Sequence, residues 1–270
     1  RSFDAFNLSL TVISSGGFLI VNDISEILQS NYQIYIFSLS MLISFFGIFL
    51  PYNVFFLKKK ELLVFTEDYY LFTYLTFLVG LFFIFFNQDN NFAITFFSVI
   101  SSISNIGISF GSLTQNNFLF LVLVIIGGSL VSTSSGLRFF KIFLLTKFSL
   151  NELVSHAKPK HILLNKVLFS KVKIESNDIS KYFFTVIIFI LSFMLLVSLL
   201  TLFNINFTIA FKLSILTLMN TVNSSLYGLE NLNFFEFSPP LKFILILFMI
   251  IGRIEFISIL ILIKKFVFKN

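Results

Sequence analysis

The sequence predicts an all-α polytopic membrane protein, built from repeated units of a span, a short re-entrant helix, a polar loop and a second span. Hydrophobic residues make up 57% of the chain, charged residues only 12%, and the mean hydropathy is +0.95. Soluble domains carry about 25% charged residues. Long apolar runs also alternate with short ones, and a polar segment follows each short run.

Five apolar runs are long enough to cross a hydrocarbon core of about 30 Å as helices. They are residues 34–57, 69–86, 118–145, 182–203 and 241–263. Three shorter runs, 3–13, 92–103 and 207–219, are too short to cross. Irregular backbone survives at membrane depth only where it lines water or is buried in protein. Each short run with its polar segment therefore predicts a re-entrant loop.

The polar segments match one another in register. The three copies are Ser14-Ser15-Gly16-Gly17-Phe18, Ser104-Asn105-Ile106-Gly107-Ile108 and a degenerate Asn220-Thr221-Val222-Asn223-Ser224. Carbonyl groups of such loops can replace the hydration shell of a cation, and glycine permits the dihedral angles required. Hydroxyl residues recur upstream at Thr11, Ser101 and Thr217. The alternative is that these small residues only allow tight helix packing.

Basic residues predict the orientation. Of the 19 Lys and Arg residues, 15 fall on one side of the membrane when the spans and re-entrant loops are counted. They are Lys58, Lys59 and Lys60, nine residues from Arg138 to Lys181, and Lys264, Lys265 and Lys269. By the positive-inside rule that side is cytoplasmic. We expect a multi-pass protein of the cell (inner) membrane whose polar loops open outward, toward Asp23, Glu26, Asp89, Glu230 and Glu236. The net charge of +6 is then a topology signal, and no nucleic-acid partner is expected.

The sequence offers little for catalysis. Cysteine is absent, so disulfides, thiolate metal sites and cysteine nucleophiles are excluded for this chain. Two histidines, His156 and His161, do not make a metal cluster, and no Ser-His-Asp set or paired in-membrane carboxylates occur. We predict that the chain is not an enzyme and holds no cofactor. Because it begins with Arg1 inside a patterned segment, we expect a fragment lacking its N-terminal portion.

The two glycine-bearing loops resemble the filter loops of the Trk/Ktr/HKT superfamily of potassium transporters, closest to the bacterial TrkH-type pore subunit. Two further stretches agree in order along the chain. Gly127 to Arg138 resembles the glycine- and serine-rich break in the inner helix of the third repeat. Gly252-Arg253-Ile254-Glu255 resembles the Gly-Arg-hydrophobic-Glu motif of the last span.

The resemblance implies four units around one pore, with K⁺ as the transported ion. It assigns the filter to Ser14–Phe18, Ser104–Ile108 and Thr221, Val222, Asn223 and Ser224. Asn223 stands where the family carries glycine, which leaves the preference for potassium over sodium open. Only about two and a half units are present, so the remaining loop would come from the missing part.

The break at 127–136 has a physical basis, because adjacent glycines and a run of Ser and Thr disfavour a continuous helix. Residues alone leave a kinked span as the alternative. The resemblance implies an intramembrane gate formed by Gly127, Gly128, Ser129, Ser132, Thr133, Ser134, Ser135 and Gly136. It also implies that Arg253 is an electrostatic barrier to cations. The alternative is that Arg253 pairs with a buried carboxylate.

We divide the chain into a pore loop and inner helix of an incomplete second repeat (1–68), a third repeat with a broken inner helix (69–147), a cytoplasmic basic linker (148–181) and a fourth repeat (182–270). The resemblance implies a homodimer and a cytosolic nucleotide-binding regulatory subunit, for which the linker is a candidate docking surface. Proton or sodium coupling is left open.

The predicted function is potassium uptake by a pore-forming permease subunit. The alternatives are a sodium-permeable member of the same family, a polytopic membrane enzyme acting on lipid-linked substrates, and an inactive truncated product.

Overall fold

The computed structural model describes residues 2–21, 24–46, 63–86, 92–110, 117–130, 132–157, 176–229 and 232–254. Within these ranges the α-helices are α1 Ser2–Ser14, α2 Asn31–Phe45, α3 Leu63–Phe86, α4 Phe92–Ile103, α5 Asn117–Ile125, α6 Phe139–Ala157, α7 Ser176–Leu202, α8 Phe207–Met219 and α9 Pro239–Ile254. Two-residue strands, β1 Ile126–Gly127 and β2 Leu137–Arg138, pair in parallel. The predicted all-α class is confirmed.

The three short apolar runs form the short helices α1, α4 and α8. A residue in the left-handed region follows the end of each helix within two positions: Ser15 (φ 46°), Asn105 (φ 58°) and Asn220 (φ 52°). Asn tolerates this conformation better than most residues because its short side chain can bond locally. The chain then leaves the helix as an extended loop instead of continuing across the membrane.

The third apolar run is broken, as predicted. Helix α5 ends at Ile125, and α6 begins only at Phe139. Between them the chain folds back so that Ile126 pairs with Leu137 and Gly127 pairs with Arg138. We call residues 127–136 the inner loop; Val131 lies outside the described residues.

The helices pack so that each unit contacts the next. Helix α2 packs against α4, and α5 packs against α8, so an inner helix of one unit supports the short helix of its neighbour. Helix α8 also lies between α7 and α9. One buried cluster joins α3, α5, α7, α8 and α9, and a second joins α1, α2 and α4. This arrangement fixes the ends of the short helices relative to one another.

Two described helices have the length and composition to cross a membrane, through Glu67–Ile84 and Ile179–Leu202. Their outward surfaces are apolar, with Phe77 and Leu191 among the strongly exposed side chains. The division into four domains stays a prediction. Lys58–Lys60, His161, Glu255 and most of the basic linker lie outside the described residues.

Candidate ion filter and inner loop

The three polar loops meet at one place. We call residues 15–18 the first loop, 105–108 the second and 220–223 the third. A Cβ atom at Gly17 would lie 2.1 Å from the carbonyl oxygen of Ile106 and 2.6 Å from Cγ2 of Val222. A Cβ atom at Gly107 would lie 2.6 Å from the carbonyl oxygen of Val222. The predicted filter residues are therefore brought together, and the glycines allow that close approach.

The first and second loops share one backbone pattern. After the left-handed residue that ends the helix, one further residue follows and then a glycine with positive φ, Gly17 at 68° and Gly107 at 80°. The residue before each glycine donates its N–H back into the helix, Gly16 to Thr11 and Ile106 to Ser101. Both glycines are required because an L side chain is strained at such a φ.

Hydroxyl groups fix one carbonyl in each of these two loops. Thr11 Oγ1 donates to the carbonyl oxygen of Phe18 at 2.7 Å, and Ser101 Oγ donates to that of Ile108 at 2.7 Å. Thr217, the third upstream hydroxyl residue, does not make a matching bond. Thr217 donates to the Leu213 carbonyl within its own helix. The third loop therefore lacks this support.

The third loop also corrects the predicted glycine position. Thr221 donates its N–H to Leu216, so it matches Gly16 and Ile106. The next residue, Val222, stands where the other loops have Gly17 and Gly107. Asn223 matches Phe18 and Ile108 instead, and its Nδ2 donates to the Leu229 carbonyl at 2.9 Å. The sequence alignment, which sets Asn220 opposite Ser14 and Ser104, is therefore one residue out of register.

The electrostatics of the meeting point favour a cation. Helices α1, α4 and α8 all end at these loops, and a helix C-terminus carries a partial negative charge of about half an elementary charge. Three buried side-chain oxygens here, Asn105 Oδ1, Asn223 Oδ1 and Ser224 Oγ, have no hydrogen-bond partner in the described part of the chain. Buried polar atoms are nearly always paired, so unpaired oxygens need an explanation.

The inner loop is held in a fixed shape by Arg138. Its Nη1 donates to the carbonyl oxygens of Ser129, Ser132 and Ser134, at 3.1, 3.2 and 2.8 Å. The loop is also anchored to the end of α2, since Ser129 N–H donates to the Phe45 carbonyl at 3.0 Å. A Cβ atom at Gly128 would lie 2.1 Å from that same oxygen, so glycine is needed there.

The inner loop contacts the first and second loops through the left-handed residues that follow the short helices. Ser15 Oγ donates to the Thr133 carbonyl at 2.9 Å, and Asn105 Nδ2 donates to the Ser135 carbonyl at 3.0 Å. At the third position, Asn220 Nδ2 donates to the Met249 carbonyl of α9 at 2.8 Å. The side chain of each left-handed residue thus bonds to a neighbouring element, which is the inner loop for Ser15 and Asn105 and α9 for Asn220.

Arg253 on α9 joins the first loop to the inner loop. Its guanidinium donates to the Ser14 carbonyl at 2.9 Å, to Ser135 Oγ at 3.2 Å and to Ser15 Oγ at 3.3 Å. These partners are neutral oxygens, and Glu255 of the same motif lies outside the described residues. The neighbouring Gly252 packs against the end of α8, where a Cβ would lie 2.0 Å from the Leu218 carbonyl.

A cavity of about 990 Å³ opens between the first loop, the third loop and α9. Ser15 and Phe18 line one side, Val222 and Asn223 another, and Arg253 lies on the wall formed by α9. Ile246 and Ile250 of α9 also line this space and are more than half exposed. The group of loops is therefore open on one side.

Sequence reasoning missed two supporting residues. Glu67, near the start of α3, is 1% exposed, and its Oε1 accepts from the Leu130 N–H at 2.7 Å. Arg138 entered only as the end of a motif and as one of many basic residues. The signal for Glu67 was an acidic residue at the beginning of a long apolar run, which is rare and usually functional.

Comparison with solved structures shows the fold. The crystal structure of the potassium transporter TrkH from Vibrio parahaemolyticus is similar to this chain, with a TM-score of 0.82 over 97% of the chain and 21% sequence identity. The chain spans 58% of the length of that protein chain. No protein-family model and no curated protein sequence matches. The predicted polytopic helical membrane fold is thus confirmed by structure alone.

Proposed function

We propose that this chain forms most of the pathway of a monovalent cation permease that takes up potassium. One observation carries the proposal: three short helices end together at loops whose backbone turns through the left-handed region, twice at glycine. This arrangement brings the Ile106 and Val222 carbonyl oxygens and the C-termini of three helices close together. The likeness to the fold of a potassium transporter supports potassium as the ion.

The chemistry is replacement of water by fixed oxygens. A cation that leaves its hydration shell needs several carbonyl oxygens at once, and loops that hold those oxygens rigidly lower the cost. Thr11 and Ser101 hold the Phe18 and Ile108 carbonyls in position. The negative potential inside the cell contributes about 2.3 kcal/mol per charge per 100 mV. Entry therefore needs no chemical turnover and no catalytic residue.

A fourth loop completes the proposed filter. Inner helices α2 and α5 each support the short helix of the next unit, whereas α9 borders the open cavity on the side toward the first loop. The cavity is lined by two loops and by exposed isoleucines of α9. A fourth unit of the same kind would fill this space and close the ring.

The inner loop is proposed as the gate and Arg253 as the barrier. The inner loop bonds to the first and second loops through Ser15 and Asn105, so movement of the loop changes contacts at the filter. Arg253 places a positive charge between the first loop and the inner loop. A fixed cation beside the pathway raises the energy of a passing cation.

The remaining features are proposed from the sequence. The basic segments face the cytoplasm of the cell (inner) membrane, and the assembly is a homodimer with a cytosolic nucleotide-binding regulatory subunit. Bilayer lipid contacts the exposed apolar faces of α3 and α7.

The test is rubidium and sodium uptake by vesicles that contain the intact protein, together with growth of potassium-uptake-deficient cells. Thr11→Val is nearly isosteric and removes the hydroxyl that holds the Phe18 carbonyl. Loss of one hydrogen bond costs about 0.5–1.5 kcal/mol, so rubidium flux should fall by about two- to tenfold. Thr201→Val is the matched control, because Thr201 bonds only within α7 in the described structure.

Rubidium uptake above that of protein-free vesicles, lowered by Thr11→Val and unchanged by Thr201→Val, supports the proposal. Absence of cation uptake by correctly folded protein would refute it. Equal rubidium and sodium fluxes would instead assign the sodium-permeable alternative.

A further inference from the structure

The third loop differs from the other two at the position where the loops come closest. Gly17 and Gly107 have φ of 68° and 80°. Among the described residues, the non-glycine positions with positive φ are Ser15, Asn105, Asn204 and Asn220. Val222, at the matching place, therefore has a negative φ. Its loop follows a different backbone path after the same helix ending.

Val222 also brings a branched side chain to the meeting point. Its Cγ2 and Cβ atoms would lie 2.6 and 2.8 Å from a Cβ at Gly17, so the valine side chain rests against the backbone of the first loop. Its carbonyl oxygen faces Gly107 of the second loop. The side chain thus occupies space that a glycine in all three loops would leave empty.

The third loop lacks a second feature of the others. Leu216 stands in the position of Thr11 and Ser101, because each of these three residues accepts the N–H of the residue five places later. Leucine has no hydroxyl to bond the Asn223 carbonyl. Other side-chain bonds lie at and just after this loop. Asn223 Nδ2 donates to the Leu229 carbonyl, and the hydroxyls of Ser225 and Ser109 bond to each other at 2.6 Å. Two independent changes therefore separate this loop from a glycine-type filter strand.

We propose that Val222 is the residue that limits cation throughput, by placing an apolar side chain in the pathway between the first and third loops. This inference rests on the proposed permease function. A hydrated or partly hydrated cation gains nothing from a methyl group, and the space taken by the valine is lost to coordinating oxygens. Asn223, one residue later, lies beside the obstruction and does not form it.

The first experiment measures rubidium uptake by vesicles containing the intact protein with Val222 replaced by Gly, Ala or Thr. Flux should rise in the order Thr, Ala, Gly, with the smallest rise for Val222→Thr, because threonine keeps the shape of valine and exchanges only one methyl group for a hydroxyl. We expect about a tenfold rise for Val222→Gly, which corresponds to about 1.4 kcal/mol in the barrier. Thermal unfolding in detergent checks that each variant is folded.

A second variant keeps the test decisive if Val222→Gly does not fold. The chain has no cysteine, so Val222→Cys provides a single thiol in it. Modification with 2-aminoethyl methanethiosulfonate should stop rubidium flux through Val222→Cys. The control is Val154→Cys, at an exposed position on α6, where the same reagent should leave flux unchanged.

The outcomes separate the two proposals. If the parent protein carries rubidium but the Gly, Ala and Thr variants all match it and the Val222→Cys thiol does not affect flux, the role of Val222 is wrong and the permease function stands. If folded parent and variants all carry no flux, the permease function fails, and the role of Val222 fails with it.

Discussion

Replacement of Gly107 by alanine is the sharpest test of the loop geometry. Gly107 has φ of 80°, where an L residue costs roughly 1–2 kcal/mol. The added Cβ would lie 2.6 Å from both Thr221 Cγ2 and the Val222 carbonyl oxygen, and such overpacking costs roughly 1–3 kcal/mol. Part of this is offset because alanine restricts the unfolded chain. We expect a loss of about 2–4 kcal/mol in the free energy of unfolding.

The matched control is Gly80→Ala on α3. Gly80 lies in the middle of a helix, and nothing lies within 4 Å of the position of its Cβ. Alanine there should raise the free energy of unfolding by about 0.5–1 kcal/mol. Unfolding by denaturing detergent in mixed micelles measures both variants, and rubidium flux is followed in parallel. A Gly107→Ala protein as stable as the parent would refute the proposed packing of the loops.

Three other predictions concern the residues around the loops. Asn220→Gly should lower the free energy of unfolding by about 1 kcal/mol, because it loses only the hydrogen bond to Met249. Asn220→Ala should lower it further, since alanine is also strained at φ 52°, and equal unfolding free energies for the two variants would contradict this. Arg138→Lys should destabilise the protein by about 2–4 kcal/mol and increase protease cleavage at the inner loop, because the lysine side chain is one bond shorter and its ammonium falls short of the three carbonyls that Nη1 bonds. Unchanged cleavage would show that the loop holds its shape without the guanidinium. Arg253→Gln removes the charge, and because glutamine is two bonds shorter it also gives up the contacts with Ser135 and the Ser14 carbonyl. Rubidium flux should rise. A fall in flux with normal stability would assign Arg253 a structural role only.

Much of the fold was predictable from apolar run lengths. The short runs became α1, α4 and α8, and the glycine- and serine-rich break became the inner loop. In a membrane every backbone polar group needs a partner, so the length of an apolar run almost decides whether it spans or turns back. Composition and length were therefore enough for the architecture.

The details of the third loop were not predictable from residue types. The alignment of the three polar segments sets Asn220 opposite Ser14 and Ser104, which places Asn223 at the glycine position. The Thr221 N–H donates to the Leu216 carbonyl, as Gly16 donates to Thr11 and Ile106 to Ser101, so the end of α8 matches the other helix ends when Val222 stands at the glycine position. Helix ends are set by backbone hydrogen bonds and capping geometry, and several nearby residues could have served as the left-handed one.

The roles of Ser15 and Asn105 were also hidden in the sequence. Each was selected as part of a carbonyl filter, yet each side chain bonds to the inner loop, more than 25 residues away. Long-range contacts of this kind depend on which units are neighbours, and the sequence of a single chain does not specify that.

The most direct test of the central claim is to locate rubidium in crystals of the intact protein by anomalous diffraction. The permease proposal predicts a rubidium peak at the meeting point of the three loops, within coordination distance of carbonyl oxygens in the segments 15–18 and 105–108. A well-ordered structure in high rubidium with no peak at these loops, or with peaks only at the surface, would contradict the proposal.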